Sequence, residues 1–387
     1  MFDMQEIQLL LVQLQTLAAE MAFQIVAVLG LGLVWLAVAF DATRLTERDS
    51  ASMVVCRRVA SIARALGLLW LIVLVTAWPP LLERTGNVLG PMLLMLVLVL
   101  LITEGVVWRA AQSKRTIFRQ VATIAVALAY TATLALVVLA QSWMNTPTGA
   151  EFVDGRLQVM QWAALVSNSG FAQAALATVL ASVVLAAAWV QFGAPVVGNS
   201  SGSALDNPSS SGSSPSLPQP SLPKPSLPNN WRVVLNALAM AAAVGLLWLA
   251  TQAMPDTTPF YVTLMQGASD SVQAIWVRLI FVSWLLTMAA LVIGLTKPQP
   301  TQRSRALLRK LPVITAPLFW GLVYWQISGR WSQSTVAGLP VADLVSTQPV
   351  WVLAFGCLLV IAVLLAGLRM LFGLMRTPDQ AREEAAA

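Results

Sequence analysis

Two carboxylates are the side chains most able to do chemistry in this sequence, because both lie in long apolar segments. Glu20 stands near the start of the first such segment, and Glu104 stands near the end of the third, five residues before Arg109. A carboxylate inside a membrane is costly, so it is a candidate for proton transfer or for contact with a partner. Each could instead reach headgroups or water from a helix end. The sequence is compatible with both interpretations.

Histidine, the side chain that most often binds metals, is absent from all 387 residues. The two cysteines, Cys56 and Cys357, are far apart and have no CxxC spacing. They therefore indicate neither a zinc site nor a disulfide framework. Phosphate-binding loops, the HExxH zinc motif and serine-nucleophile motifs are also missing from the sequence. The sequence gives no positive sign of catalysis.

The composition is that of a membrane protein. Hydrophobic residues make up 58% of the chain and charged residues only 10%, whereas soluble proteins have roughly 25% charged residues. Nine segments have or approach the roughly 20 apolar residues that a spanning helix needs: Leu17–Phe40, Ala60–Trp78, Pro91–Val107, Val121–Trp143, Phe171–Phe192, Trp231–Thr251, Val272–Leu295, Pro312–Ile327 and Val350–Phe372. We therefore expect an all-α integral membrane protein with nine transmembrane helices, of which the eighth is the shortest and contains Pro317.

The basic residues alternate between the loops that join these segments. If the N-terminus lies outside, only four of the 23 lysines and arginines fall in outer loops or at outer helix ends, namely Arg84, Arg156, Arg278 and Arg330. Lysine and arginine accumulate in cytoplasmic loops. The pattern predicts an external N-terminus and a cytoplasmic C-terminus. It also accounts for the net charge of +6 without a nucleic-acid partner.

The chain divides around one polar segment. Residues 196–230 are rich in serine and proline, with a repeated PSLP unit, and such a composition has little to bury. We expect a disordered cytoplasmic linker between five helices in residues 1–195 and four helices with a short tail in residues 231–387. The recurring PxxP pattern would also suit a ligand of an SH3-type domain.

The most specific motif is the segment Gln141–Arg156, which reads QSWMNTPTGAEFVDGR. It is in register with the NSWMQTPxGxExxxGR pattern of subunit I of cytochrome bd-type oxidases at Trp143, Met144, Thr146, Pro147, Gly149, Gly155 and Arg156. Weaker matches surround Gly329-Arg330 and Trp276-Val277-Arg278. The sequence thus resembles this family as a divergent paralogue. The resemblance implies a bd oxidase subunit-like bundle in a prokaryotic plasma or internal membrane, with this segment as a structural external loop.

The positions that bind haem in that family hold other residues here. They fall on Met21, Met95, Ala177, Ile280 and Ile327. The two methionines could offer thioethers to iron, but methionine in an apolar helix usually packs. The sequence therefore predicts no cofactor and no metal in this chain. Arg278 lies where the family has an arginine close to haem propionates, and we expect Arg278 and Arg330 to contact lipid phosphate or a partner.

The leading hypothesis is a haem-free accessory subunit of a bd-like terminal oxidase. It would form a heterodimer with a haem-bearing, subunit I-like membrane protein and stabilise or shield the haems b and d of that partner. Lipid or quinone could fill the vacated haem space. One alternative is a stand-alone transporter or scaffold, although the polar candidates Thr103, Glu104, Ser283 and Gln326 form no evident cluster in sequence. A catalytic oxidase subunit with unorthodox ligands is the other.

Overall fold

A computed structural model of the chain describes residues 4–42, 65, 69, 72–73, 75–112, 116–145, 148–154, 156–167, 169–193, 229–252, 272–295, 311–327, 335–336, 339–340 and 349–373. These residues are almost entirely helical. The helices are α1 (Met4–Ala22), a π-helical segment (Phe23–Ala27), α2 (Val28–Ala42), α3 (Pro79–Gln112), α4 (Thr116–Asn145), the short α5 (Trp162–Val166), α6 (Ser169–Gly193), α7 (Asn229–Gln252), α8 (Val272–Leu295), α9 (Pro312–Ile327) and α10 (Val350–Gly373).

Within the part of the chain that the structure describes, six helices are long and apolar enough to cross a membrane, by length and composition. They cover Leu10–Ala39, Pro79–Thr103, Gln120–Met144, Gly170–Gln191, Val233–Gln252 and Ile275–Leu295. The expected all-helical membrane protein is therefore confirmed. The number of nine spans and the orientation of the termini stay predictions. Most of the second predicted span and nearly all of the serine- and proline-rich linker lie outside the described residues.

Two helices begin earlier than the hydropathy pattern predicts. The first begins at Met4 rather than Leu17, and α3 begins at Pro79 rather than Pro91. Proline is well suited to the first turn of a helix, because its missing N–H has no helical partner there. The additional turns of α3 are amphipathic. They bury Leu81, Val88 and Leu89 against Trp143, so packing rather than apolar length sets the start of the helix.

The main core lies where the helices of the two halves meet. It joins α2, α4, α6, α7, α8 and α9, and its fully buried members include Val34, Ala181, Leu246, Ile280 and Phe319. Small residues let backbones approach closely in such bundles. At Gly32 a Cβ would lie 2.2 Å from the carbonyl oxygen of Ser182. The contact between α2 and α6 therefore depends on the missing side chain.

Two smaller regions complete the fold. Beside α1, Val12 and Ala19 pack against Leu353 and Val360 of α10, and Gln15 donates a hydrogen bond to the carbonyl of Leu353. After α4 the chain forms an antiparallel hairpin of β1 (Ala150–Val153) and β2 (Arg156–Val159). A second, two-residue pair joins β3 (Thr335–Val336) and β4 (Leu339–Pro340).

Candidate functional site

Glu20 is buried in the interior of the bundle. It is the third residue from the end of α1 and is 1% exposed. The hydroxyl of Tyr324, from α9, donates a hydrogen bond of 2.6 Å to Glu20 Oε1. Hydrogen bonds of about 2.5–2.7 Å are typical of a hydroxyl that donates to an ionised carboxylate. Glu20 therefore points into the bundle and does not reach headgroups or water from the helix end.

Two glutamines extend this contact into a polar cluster. Gln24 Nε2 donates to Gln141 Oε1 over 3.2 Å, and the Tyr324 hydroxyl lies 3.4 Å from the same oxygen. Both glutamines are buried, at 0% and 5% exposure. We call Glu20, Gln24, Gln141 and Tyr324 the Glu20 cluster. Residues from α1, the π-helical segment, α4 and α9 thus meet in one place.

The π-helical segment positions Gln24 and supports the cluster through its backbone. Its wider turn loosens the regular ladder of helical hydrogen bonds, and such segments are frequent at functional sites. Two carbonyl oxygens of this segment accept bonds from side chains of other helices. Trp320 Nε1 donates to the Gln24 carbonyl over 2.9 Å, and the Tyr130 hydroxyl donates to the Ala27 carbonyl over 2.9 Å.

The cluster is not fully satisfied by the residues that the structure describes. Gln24 Oε1 and Gln141 Nε2 are buried and have no hydrogen-bond partner among them. Buried polar groups nearly always have a partner, so each exception requires an explanation. The Glu20 cluster therefore combines a buried carboxylate, a tyrosine hydroxyl and two amide groups with spare capacity. Such a set can accept, hold or pass a proton, or bind a polar group.

Of the positions that correspond to haem ligands, two are packed in the core and one is turned outward. Ala177 is 1% exposed and Ile280 is 0% exposed, and both belong to the main apolar core. Met95 is 53% exposed on α3. Ile327 ends α9, and the side chain of Met21 lies outside the described part of the chain. Haem iron needs an axial nitrogen, sulfur or phenolate donor. Ala177, Ile280 and Ile327 offer no such donor, and Met95 carries its sulfur on the exposed side of α3.

Of the other residues singled out in the sequence, Arg278, Thr103 and Ser283 are described by the structure and do not join the Glu20 cluster. Arg278 lies on the exposed side of α8. Glu104 lies within α3, but its side chain is outside the described part of the structure, as is the whole of Arg330. Of the polar candidates, Thr103 and Ser283 bond to carbonyls of their own helices, at 2.7 and 2.9 Å.

The Gln141–Arg156 motif links the cluster to the hairpin. Trp143 is fully buried and donates to the Thr148 carbonyl over 3.2 Å, while Met144 packs beside it. Gly149 has a φ of 69° and accepts hydrogen bonds from the backbone N–H groups of Met160 and Gln161. Arg156 is exposed in β2, and Thr146, Pro147 and Gly155 lie outside the described residues. The motif therefore fixes the end of α4, from which Gln141 projects.

Comparison with known proteins agrees with this architecture. Residues 11–194, just under half of the chain, match the family model of cytochrome bd terminal oxidase subunit I. The fold is similar to a chain in the solved structure of the bd oxidase from Geobacillus thermodenitrificans, with a TM-score of 0.65 and 14% identity over 95% of this chain and 98% of that chain. A search of curated proteins finds no significant match. The predicted resemblance is confirmed: the chain is a membrane protein like subunit I of cytochrome bd oxidases.

Proposed function

We propose that this chain is a haem-free accessory subunit of a cytochrome bd-like terminal oxidase and pairs with a haem-bearing membrane subunit. The observation that supports this most directly is that the fold is kept while the residues at the haem-ligand positions are replaced. The chain has no histidine, and two of the corresponding positions, Ala177 and Ile280, lie in the apolar core. A subunit that keeps the bundle while filling the ligand positions with apolar side chains is suited to docking and to shielding a partner from lipid.

The core packing supports a structural role over a catalytic one. Ile280, Phe319 and Trp320 are at most 1% exposed, and they belong to the same cluster as Ala177. Protein interiors are close-packed, so a haem could enter this region only if several of these side chains moved. We infer that electrons pass through the partner, and that this chain contributes shape, insulation from lipid and a stable interface.

The experiment is an absorption spectrum of the affinity-tagged chain, purified in mild detergent from its native membrane. We expect haem bands together with a second membrane chain that contains histidine, as identified by mass spectrometry. The matched control is the same tagged chain produced in cells that lack the partner, which should purify without haem bands. A colourless single chain from the native membrane would contradict the pairing. A haem spectrum in the chain produced alone would contradict the haem-free assignment.

A second candidate function, proton movement by this chain, is favoured by the Glu20 cluster. A carboxylate that is 1% exposed within an apolar helix is a common element of proton pathways in membrane proteins. We expect Glu20→Gln to abolish proton uptake by proteoliposomes, measured with an internal pH-sensitive dye. Glu83→Gln is the control, because Glu83 is an exposed carboxylate of α3. Equal uptake by the wild type, both variants and protein-free vesicles would reject this function.

A further inference from the structure

The hydroxyl group of Tyr324 lies within hydrogen-bond distance of two buried acceptors. Its oxygen is 2.6 Å from Glu20 Oε1 and 3.4 Å from Gln141 Oε1. All three residues are at most 7% exposed. A phenol has a single O–H hydrogen, so Tyr324 can form a strong hydrogen bond to only one of these oxygens at a time. The two acceptors therefore compete for one hydrogen.

The charge of Glu20 decides this competition. An ionised carboxylate is a stronger acceptor than an amide carbonyl, and the shorter distance shows that the hydroxyl donates to Glu20 in the present geometry. A protonated carboxyl group has an O–H donor of its own, which can donate to the Tyr324 oxygen. The Tyr324 hydrogen can then turn toward Gln141 Oε1. That oxygen has two lone pairs, so it can accept from Tyr324 and from Gln24 together.

The Gln141 amide can move far enough to complete the second bond. The separation of 3.4 Å between the two oxygens exceeds the usual upper limit of about 3.0 Å by roughly 0.4 Å. Gln141 Nε2 has no hydrogen-bond partner among the described residues, so their hydrogen bonds hold the amide only through its oxygen. A shift of this size therefore breaks no hydrogen bond that the structure describes at the Nε2 atom.

The other titratable groups on the elements around Glu20 lie toward helix ends or have partners elsewhere. In the described part of the chain they are Glu6, Arg119, Tyr130, Cys357 and Arg369. The Tyr130 hydroxyl donates to the Ala27 carbonyl, and Cys357 donates to the Leu11 carbonyl. The π-helical segment and α9 contain no charged residue. Among the described residues, Tyr324 is therefore the titratable group that contacts Glu20.

We propose, building on the proton movement proposed above for Glu20, that Tyr324 is a positioning residue that transfers its hydrogen bond from Glu20 to Gln141 when the carboxylate is protonated. The incoming proton forms an O–H bond with a carboxylate oxygen. The Tyr324 hydrogen stays on its own oxygen, so no covalent bond breaks in the cluster. Protonation of a residue of α1 thereby strengthens a contact between α9 and α4.

The test is infrared difference spectroscopy of the full-length chain in lipid vesicles, with spectra recorded in acidic and in neutral buffer. In the wild type we expect the C=O band of a protonated carboxyl group, which is lost in Glu20→Gln. We also expect a side-chain amide C=O band, lost in Gln141→Leu, to shift to lower frequency because that carbonyl gains a hydrogen bond. In Tyr324→Phe the carboxyl band should persist and the amide shift should be lost. Tyr130→Phe, which removes another buried hydroxyl, should retain both signals.

Failure of the hydrogen-bond transfer is distinguishable from failure of proton uptake. A Glu20 band without an amide shift in the wild type, or an amide shift that survives in Tyr324→Phe, would overturn the transfer and leave proton uptake by Glu20 intact. The absence of a Glu20 band in the wild type would overturn both. Wild-type protein with glutamine isotope-labelled in its side-chain carbonyl keeps the test valid even where Tyr324→Phe does not fold. In that protein, labelled amide bands that stay unchanged while the Glu20 band appears would overturn the transfer.

Discussion

The hydrogen bond between Tyr324 and Glu20 should contribute more to stability than a comparable tyrosine bond elsewhere in the chain. Tyr324 is 7% exposed and donates to a carboxylate, whereas Tyr130 is 2% exposed and donates to a backbone carbonyl. Replacing either tyrosine with phenylalanine removes only the hydroxyl, so the buried apolar area changes little. The two variants differ mainly in the acceptor that loses this donor.

The expected magnitudes follow from the charge of the acceptor. A hydrogen bond to a charged group contributes roughly 1.5–3 kcal/mol, and a neutral one contributes roughly 0.5–1.5 kcal/mol. We therefore expect Tyr324→Phe to lower the free energy of unfolding by about 2 kcal/mol and Tyr130→Phe by about 1 kcal/mol. In a Glu20→Gln background the acceptor is neutral, so Tyr324→Phe should then cost only about 1 kcal/mol. The coupling between Glu20 and Tyr324 is thus about 1 kcal/mol.

The assay is reversible unfolding of the purified chain in mixed micelles, with an increasing fraction of sodium dodecyl sulfate. The four proteins of the double-mutant cycle are compared under one set of conditions, with Tyr130→Phe as the matched control. Independent sites add to within roughly 0.3–0.5 kcal/mol. A coupling energy within that margin of zero would refute the reasoning. So would a Tyr324→Phe variant that is as stable as Tyr130→Phe.

Three further predictions concern packing and the missing ligands. Gly32→Ala should strongly lower thermal stability in detergent, since its Cβ would lie 2.2 Å from the Ser182 carbonyl, whereas Gly105→Ala, with nothing within 4 Å, should be neutral or stabilising. Gly149→Ala should make the hairpin more sensitive to limited proteolysis, because an alanine at a φ of 69° is strained; unchanged cleavage would contradict this. Ala177→His should destabilise the chain and should not produce a haem spectrum, because the imidazole would enter a close-packed apolar core.

The sequence singles out some members of the Glu20 cluster but does not predict that they contact one another. Glu20 can be singled out because a carboxylate in an apolar segment is unusual. Tyr324 and Gln141 carry no comparable signal. In the sequence, Tyr324 lies 304 residues from Glu20 and 183 residues from Gln141. Their encounter depends on how each helix is rotated about its axis. A single sequence of nearly uniform hydrophobicity does not encode that rotation in any simple pattern.

Two polar residues that the sequence does single out take no part in the cluster. Thr103 and Ser283 satisfy their hydroxyls within their own helices, as short hydroxyl side chains commonly do. A polar residue type in a span is therefore a weak indicator when its side chain is short. Glutamine and glutamate have longer side chains and cannot be satisfied so easily in this way. On that ground, Gln24 could have been singled out in the sequence as a candidate member of a polar cluster.

Packing alone does not account for the Glu20 cluster. Replacing buried ionic or polar groups with well-packed apolar ones is often neutral or stabilising, and this core accommodates apolar residues at Ala177 and Ile280 without difficulty. A cluster of only apolar side chains would therefore hold the helices together at least as well. The bundle nevertheless contains a buried carboxylate and two buried amides. We infer that the cluster serves the proton handling proposed for Glu20 rather than packing.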